Sequence, residues 1–589
     1  MMILAAIPLA VMSCGTAPHP VDSPLSSPLT KTASISPQAY FHFLRGYLDE
    51  LANEPASALK EYQASLSLDQ QSVFLKAKIA QLYFSMGSMG AAVKMADRIS
   101  LDRLHQSSML LQLAKIYAGT GHTERALSLY DQAIDQDRTN LQGFIGKGAL
   151  LVGLKRWDEA RQVFQALLVQ APRSALGHYF LGMIAAQTAH LEKAEGYFNN
   201  AINLKGRFKR SYRALAALYE RQEEPQKAAE VYERFLRDVN PHDNDFRLQL
   251  VRIYLKTRDY QQALDQLAQM LKDDPDDVRS QLRVALIHGE MGEYRQAIKE
   301  LTAILQAQPN NLRVRDYLGL MFEEMKDVDR ARQAYEANLN RDPTFYDSLL
   351  HLGVLSYRLK QYEKAIPLLK QVTKLNPKRL ESYLLLGLTY MQTEQYQLAR
   401  SVLEKGIQQN PDNADLHFNL GTAYDKLDRF DDVVREMERT LQLSPDYADS
   451  LNYLGYSYAD RDMYPQKALE LTGRAVELKP DNGYYVDSFG WAQFKVGQIE
   501  KAMKTIERAA SLVGDDPVIF EHLGAIYIKR QEFDKAKEAW ARSIALDSSN
   551  RALIDRFRQQ GFGEPLLHDT NPSSSPQVSH HFSDILPTP

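Results

Sequence analysis

The stretch Leu386–Pro411, LGLTYMQTEQYQLARSVLEKGIQQNP, carries four spaced residues that decide the fold: Gly387, Tyr390, Ala399 and Pro411. The alanine recurs along most of the chain at intervals of 34 residues, with two intervals of 35. These alanine positions, one of which holds valine, are Ala58, Ala92, Ala126, Ala160, Ala194, Ala228, Ala263, Ala297, Ala331, Ala365, Ala399, Val433, Ala468, Ala502 and Ala536. A fixed period of this length indicates stacked supersecondary units that form an elongated solenoid rather than one closed core.

A second set of positions lies twelve or thirteen residues before the alanine positions and holds very small side chains, with Val251 as the exception. Glycine inside a helix costs about 1 kcal/mol relative to alanine, so its repeated use at one position requires a packing reason. We expect that two antiparallel helices approach closely there. These small-residue positions are Gly46, Ala80, Ala114, Gly148, Gly182, Ala216, Val251, Ala285, Gly319, Gly353, Gly387, Gly421, Gly455, Gly490 and Gly524.

Prolines and aromatic residues complete the repeating unit. A proline follows many alanine positions by twelve or thirteen residues, where it separates one unit from the next. Large aromatic side chains stand four residues after several alanine positions, and we expect them to fill the space beside the small residues. They are Tyr62, Tyr130, Phe164, Phe198, Tyr232, Tyr335 and Trp540.

This combination resembles the tetratricopeptide repeat (TPR) family, and about fifteen repeats cover residues 39 to 550. The resemblance implies an all-α fold, a right-handed superhelical solenoid of about fifteen antiparallel helix pairs. Two positions depart from the regular spacing. One extra residue lies near Pro241, and another lies between Tyr458 and Ala468, before Pro465.

The composition is consistent with this architecture. The 70 basic and 74 acidic side chains give a net charge of −4, which provides no general attraction to nucleic acid. No interior segment has the length and apolarity of a membrane span.

The N-terminus differs from the repeats. Met1–Met12 is apolar and is followed by Ser13 and Cys14, the only cysteine of the chain, so a disulfide within the chain is impossible. The run Val11–Cys14 resembles a bacterial lipobox, in which cleavage before the cysteine allows its thiol to carry a lipid anchor. The resemblance implies an outer-membrane lipoprotein of the bacterial cell envelope that faces the periplasm. An apolar N-terminus with an incidental cysteine is the alternative.

These features predict seven segments along the chain. Residues 1–13 form a lipoprotein-type signal peptide, and residues 14–38 form a lipidated, flexible, Pro/Ser/Thr-rich tether. The repeats divide into residues 39–243, 244–447 and 448–550. A solvating helix at residues 551–560 and a disordered tail at 561–589 follow.

The sequence contains no pattern that would perform catalysis or hold a cofactor. The HExxH and CxxC spacings of common metal sites do not occur in it. The acidic pairs fall on amphipathic helices, where such residues usually form solvated faces. We therefore predict a non-catalytic protein without cofactor, metal or small-molecule substrate.

In TPR proteins, partners bind in a groove lined by the second, fifth, ninth and twelfth residues of the first helix of each repeat. Carried over to this chain, these positions predict a basic middle segment: Arg210, Arg213, Arg252, Arg279 and Arg313. Toward the C-terminus they predict an acidic and aromatic segment: Asp415, Asp449, Asn452, Tyr456, Tyr484, Asp487 and Trp491. Such a divided groove suits other proteins or extended peptide segments of complementary charge. The alternative is that these charges only keep the array soluble.

The C-terminal repeats have a narrower resemblance. The stretches Leu451–Tyr456, Asp487–Trp491 and Glu521–Gly524 look like those of bacterial TPR lipoproteins, which include adaptors of C-terminal processing proteases. This resemblance implies an envelope scaffold that assembles partner proteins, such as a protease and its substrates. A scaffold for exopolysaccharide assembly or export is the alternative. A TPR-bearing enzyme such as a glycosyltransferase is disfavoured, because only residues 551–589 follow the last repeat.

Overall fold

The computed structural model of the chain describes residues 36–100, 104 and 106–565. Every regular element in these residues is an α-helix. Cys14 and the predicted signal peptide, most of the predicted tether and most of the predicted tail lie outside the described residues. The predicted divisions of the repeats after residues 243 and 447 stay predictions.

Thirty-one helices, α1 to α31, follow one another in the described residues, and the first thirty form fifteen pairs. The first helices of the pairs are α1 Pro37–Leu51, α3 Val73–Ser85, α5 Ser107–Gly119, α7 Leu141–Gly153, α9 Ala175–Gln187, α11 Lys209–Arg221, α13 Asn244–Thr257, α15 Val278–Glu290, α17 Leu312–Glu324, α19 Tyr346–Arg358, α21 Leu380–Gln392, α23 Ala414–Asp425, α25 Ala448–Asp460, α27 Gly483–Lys495 and α29 Pro517–Lys529. The second helices are α2 Pro55–Leu68, α4 Met89–Ala96, α6 Thr123–Gln136, α8 Trp157–Gln170, α10 Leu191–Leu204, α12 Pro225–Asp238, α14 Tyr260–Asp273, α16 Tyr294–Ala307, α18 Val328–Leu339, α20 Tyr362–Leu375, α22 Tyr396–Gln409, α24 Phe430–Leu443, α26 Pro465–Leu478, α28 Ile499–Val513 and α30 Phe533–Leu546. The last helix, α31, spans Arg551–Gln559. The prediction of an all-α fold with fifteen helix pairs is confirmed.

The helices group into two compact units that divide after Gln266, within α14. Inside each unit, a helix packs mainly against the helices one and two places away in the chain. The core of each unit is therefore a row of layers, each shared by neighbouring helix pairs.

The predicted small and large positions meet inside the helix pairs. Each alanine position is the fourth residue of a second helix, and all fifteen side chains there are fully buried. A Cβ added to Gly148 would lie 2.4 Å from the ring of Phe164, and one added to Gly524 would lie 2.1 Å from Trp540. The missing side chain therefore leaves space for an aromatic ring of the paired helix, as predicted.

The turn inside a repeat contains a residue in the left-handed conformation, and at most of these turns that residue is not glycine. Examples are Lys155 at φ +59°, Lys360 at +57° and Glu394 at +58°. After α19, the N–H of Gln361 donates to the carbonyl of Ser356 at 2.8 Å. This bond satisfies a carbonyl at the helix end and fixes a sharp reversal of the chain.

The two extra residues lie in turns. Five residues, 239–243, separate α12 from α13, and four residues, 461–464, separate α25 from α26. Tyr464 adopts a left-handed conformation at φ +44° and is exposed, and Pro465 begins α26. Proline suits the first helical position because that residue has no helical acceptor for an N–H.

Helix α31 closes the last repeat. Leu553, Ile554 and Phe557 are buried against Trp540 and Ile544 of α30. The remaining residues of α31 are exposed and mostly polar. None of the described helices is both long and apolar enough to cross a membrane.

Candidate functional site

A buried Asp–His pair links two neighbouring repeats near the C-terminus. Asp487 is the fifth residue of α27, and His522 is the sixth residue of α29. The Nδ1 atom of His522 lies 3.0 Å from each carboxylate oxygen of Asp487. Both side chains are more than nine-tenths buried. A polar pair this deep is stable only because each partner satisfies the other.

The indole of Trp491 lies flat against this histidine. The ring centroids of Trp491 and His522 are 4.0 Å apart, with planes 13° from parallel. On the same helix, Phe494 stacks on Trp491 at 5.0 Å. The ammonium of Lys495 lies 5.0 Å from the centre of the indole and 2.7 Å from a carboxylate oxygen of Asp462. Together these contacts fix the orientation of the indole.

Two polar atoms on the contacting helices α25 and α27 have no hydrogen-bond partner in the described part of the chain. They are the Oδ1 atom of Asn452 in α25 and the Nε1 atom of Trp491, and both atoms are buried. Tyr456 lies one helical turn after Asn452, and its ring centroid is 6.2 Å from that of His522. Burial raises the pKa of Tyr456, as do the nearby carboxylates of Asp460 and Asp487, so its hydroxyl stays protonated. We name Asn452, Tyr456, Asp487, Trp491 and His522 the C-terminal cluster.

The C-terminal cluster unites four of the seven acidic and aromatic residues predicted for the groove. Asp415 and Asp449 have other partners: the hydroxyl of Tyr447 donates to Asp415 at 2.9 Å, and that of Tyr485 donates to Asp449. These bonds connect each carboxylate to the next repeat. Tyr484 is exposed and lies on the first turn of α27.

The five predicted arginines are all exposed, but two of them are already paired. Arg213 forms an ion pair with Asp245, and Arg252 pairs with Glu220 at 2.8 Å. The other three form no ion pair with another described residue: Arg210, Arg279 and Arg313. Because Arg213 and Arg252 are partly neutralised, the basic segment is weaker than the sequence indicates.

His522 is the one member of the C-terminal cluster that was not predicted as a site residue. The same Asp–His spacing of 35 residues occurs once more, where Nδ1 of His351 lies 3.0 Å from the carboxylate of Asp316. Ser348 also donates to Asp316 at 2.6 Å. Both pairs bring neighbouring repeats together, but only His522 forms a hydrogen bond with its aspartate through Nδ1. The feature specific to α27 is the indole of Trp491 against the histidine.

The described residues contain no group of three or more His, Cys, Asp or Glu side chains arranged to hold a metal ion.

Family models match much of the chain. One tetratricopeptide repeat model matches residues 117–184, 219–287 and 390–454, and another matches 282–344. A model described as anaphase-promoting complex, cyclosome, subunit 3, matches residues 324–406. No curated protein sequence matches the chain.

Several solved structures are similar in part. A chain of the APC/C hetero-tetramer Cut9-Hcn1 is 14% identical, covers 82% of this chain and 94% of its own, and has a TM-score of 0.36. A tetratricopeptide repeat protein from Parabacteroides merdae ATCC 43184 is 16% identical over 42% of this chain and 98% of its own, with a TM-score of 0.33. MamA is 26% identical over 28% of this chain and 95% of its own, with a TM-score of 0.27.

The matched models and the helix pairs agree in position. The repeat models fall on α5–α9, α11–α18 and α21–α25, where the small residues and buried alanines lie. The matched segments are therefore tetratricopeptide repeats, a kind of repeat that generally serves as a protein-interaction scaffold.

Proposed function

We propose that the chain is a non-catalytic scaffold that binds an extended peptide segment of a partner protein at the C-terminal cluster. One observation carries this proposal: a buried acceptor, Oδ1 of Asn452 in α25, and a buried donor, Nε1–H of Trp491 in the contacting helix α27, have no hydrogen-bond partner among the described residues. Every non-proline peptide unit offers one N–H donor and one C=O acceptor. A peptide backbone is thus complementary to both atoms.

The surroundings of these two atoms also suit a peptide. The indole of Trp491 is held in place by His522 on one face, so little conformational entropy is lost when a ligand binds. Tyrosine and tryptophan give much binding energy per residue because they combine a large apolar area with one polar group. Tyr484 is exposed on the same helix as Trp491, two turns before it, and the ring of Tyr456 lies near that of His522.

We further propose that this scaffold is anchored in the bacterial envelope as an outer-membrane lipoprotein facing the periplasm. The lipobox-like run Val11–Cys14 supports the lipid anchor. The resemblance of the C-terminal repeats to protease adaptors supports a partner that is a processing protease or one of its substrates.

A library of unstructured twelve-residue peptides tests the proposed binding site. Peptides selected on the wild-type chain should bind Trp491→Phe about fivefold more weakly, because the variant keeps the aromatic stack but removes the donor, which is worth about 1 kcal/mol. Asn452→Ala should weaken the same peptides.

Arg313→Glu is the matched control, since Arg313 is exposed on α17 and forms no ion pair with another described residue. It should leave binding unchanged. Binding that Arg313→Glu abolishes and Trp491→Phe does not affect would place the site in the basic segment instead.

Membrane fractionation tests the anchor separately. In a bacterial host, Cys14→Ala should move the protein from the membrane fraction to the soluble fraction, while a Ser13→Ala control should stay at the membrane. If Cys14→Ala fractionates as the wild type does, the lipid anchor is wrong.

A further inference from the structure

Three half-buried aspartates of α23 and α25 are each held by a tyrosine hydroxyl of the next repeat. The pairs are Asp415 with Tyr447, Asp425 with Tyr453, and Asp449 with Tyr485. We name Asp415, Asp425 and Asp449 the tyrosine-held carboxylates. The three bonds connect α23, α25 and α27, and the last two of these helices carry Asn452 and Trp491 of the C-terminal cluster.

Carboxylates at the same helix positions in earlier repeats are paired with arginine instead. Like the tyrosine-held carboxylates, they are the second or the twelfth residue of a first helix. The pairs are Asp245 with Arg213, Glu220 with Arg252, and Glu323 with Arg358. In each pair the arginine lies on the first helix of a neighbouring repeat and neutralises the carboxylate. Within the described ranges of the chain, Asp415 and Asp425 form no such ion pair.

A tyrosine hydroxyl orients a carboxylate but brings no positive charge. Burial raises the pKa of Tyr447, Tyr453 and Tyr485, and the carboxylates that they face raise it further, so the hydroxyls stay protonated. An ionised carboxylate has about four lone-pair sites, of which one tyrosine occupies one. The tyrosines therefore fix the positions of the carboxylates without neutralising them.

The helices around these carboxylates supply little positive charge. Helices α23, α25 and α27 contain five aspartates and one lysine, Lys495. The ammonium of Lys495 lies 2.7 Å from a carboxylate oxygen of Asp462. Arg461, in the turn after α25, has its guanidinium 4.3 Å from the centre of the Phe430 ring. This part of the groove is therefore complementary to positive charge on a partner.

We propose that the partner segment bound at the C-terminal cluster is basic, and that its arginine or lysine side chains pair with the tyrosine-held carboxylates. This inference rests on the peptide site proposed above and names the chemistry of its ligand. Arginine suits the surface well, because a guanidinium binds a carboxylate through two parallel hydrogen bonds and stacks on aromatic rings.

The same library of twelve-residue peptides tests the charge of the ligand. Peptides selected on the wild-type chain at low ionic strength should contain arginine and lysine more often than the unselected library does. Replacing these residues of one selected peptide by glutamine should weaken its binding about tenfold, because the exchange removes charge-assisted hydrogen bonds. The affinity of the original peptide should fall as salt is added, since salt screens exposed charges.

A triple variant assigns this preference to the tyrosine-held carboxylates. The chain with Asp415→Asn, Asp425→Asn and Asp449→Asn should bind the basic peptide and its glutamine form with equal affinity. Asparagine still offers an oxygen to each tyrosine hydroxyl, so the contacts between helices stay in place. Circular dichroism should show unchanged helicity.

The matched control removes three carboxylates from second helices. It combines Glu363→Gln, Asp431→Asn and Asp534→Asn, which replace exposed residues at the second position of α20, α24 and α30. The control has the same change in net charge as the triple variant. It should keep the full preference for the basic peptide.

The outcomes separate this inference from the peptide site on which it rests. Selected peptides that depend on Trp491 but show no excess of arginine and lysine would overturn the inference and leave the peptide site in place. A preference for the basic peptide that persists in the triple variant, or that the control removes, would also overturn it. If no peptide of the library binds the wild-type chain, the peptide site itself is wrong, and the basic ligand is wrong with it.

Discussion

Gly319 packs against the ring of Tyr335. This contact shows why a repeat needs a glycine on its first helix and a large aromatic residue on its second. A Cβ added to Gly319 would lie 2.4 Å from Cε1 of Tyr335. Tyr335 is fully buried, and its hydroxyl donates to Glu323 at 2.6 Å. The ring is therefore held at both ends and cannot move aside without breaking a hydrogen bond.

Gly319→Ala should destabilise its repeat by about 1 to 3 kcal/mol, because the added methyl group overpacks the contact with Tyr335. Gly196→Ala is the matched control: Gly196 lies inside α10 with open space around its missing Cβ. That variant should be neutral or more stable by up to about 1 kcal/mol, since alanine favours a helix. Urea unfolding monitored by circular dichroism measures the change in unfolding free energy for both variants. Equal effects of the two substitutions would rule out the packing explanation.

His417 should make the stability of its repeat depend on pH. Its side chain is buried, with Nδ1 2.7 Å from a carboxylate oxygen of Glu436 and Nε2 3.1 Å from the carbonyl of Pro411. Burial lowers the pKa of His417, but the bonds to Glu436 and Pro411 outweigh it, so the pKa is raised above the usual 6.5. A raised pKa contributes stability that is fully present below the unfolded pKa and is lost as the pH rises through the folded one.

The substitution His417→Gln should therefore cost more stability at pH 5.5 than at pH 9. Hydrogen exchange of α23 and α24 in wild type and variant measures the difference. In a Glu436→Gln background, where the carboxylate is absent, the cost of His417→Gln should vary much less with pH. If His417→Gln costs the same stability at both pH values in the wild-type background, the pKa of His417 is not raised in the folded protein.

The sequence predicted where site residues lie along a helix better than what those residues contact. Asp487 and Trp491 occupy the predicted positions of α27, but Asp487 is buried against His522 rather than open to a ligand. Periodicity places a side chain on a face. Whether the next repeat reaches that face depends on the spacing between helices, which the pattern does not contain. The recurring interval from Asp316 to His351 was the available sign of this pairing.

At the scale of helices, the pairs were predictable and the turns were not. A small residue and a buried alanine mark each pair, and in many repeats a proline marks where the pair ends. The turn inside the repeat needs a left-handed residue, for which glycine is the usual sign. This chain places Lys155, Lys360 or Glu394 there instead, so the turn is imposed by the packing of the two helices it joins.

Truncation after Asn550, which removes α31, should destabilise the last repeat. Trp540 and Ile544 of α30 would lose the cover of Leu553, Ile554 and Phe557, and terminal repeats need a polar outer face for solubility. We expect faster exchange in α29 and α30 and aggregation on concentration. A chain that ends at Pro565 keeps α31 and should behave as the full chain does. Equal solubility of the two truncated chains would mean that α31 is dispensable.

At the scale of the molecule, contacts between successive helices decide how far a perturbation spreads. In the second unit, helices contact those one and two places away, as α25, α26 and α27 do. Stability in such an array is close to a sum of repeat energies and nearest-neighbour terms. Local damage should therefore open nearby repeats and leave distant ones closed.

Ala365→Phe tests this expectation. Ala365 is fully buried as the fourth residue of α20, between α19 and α21. A phenyl ring there should cost about 1 to 3 kcal/mol through overpacking. Hydrogen exchange should accelerate in α19 to α22 and stay unchanged in α27 to α30. Leu398→Phe, at an exposed position of α22, is the matched control and should change neither region. If exchange accelerates equally in every helix from α15 to α30, the second unit unfolds as one cooperative body, and the nearest-neighbour description is wrong for it.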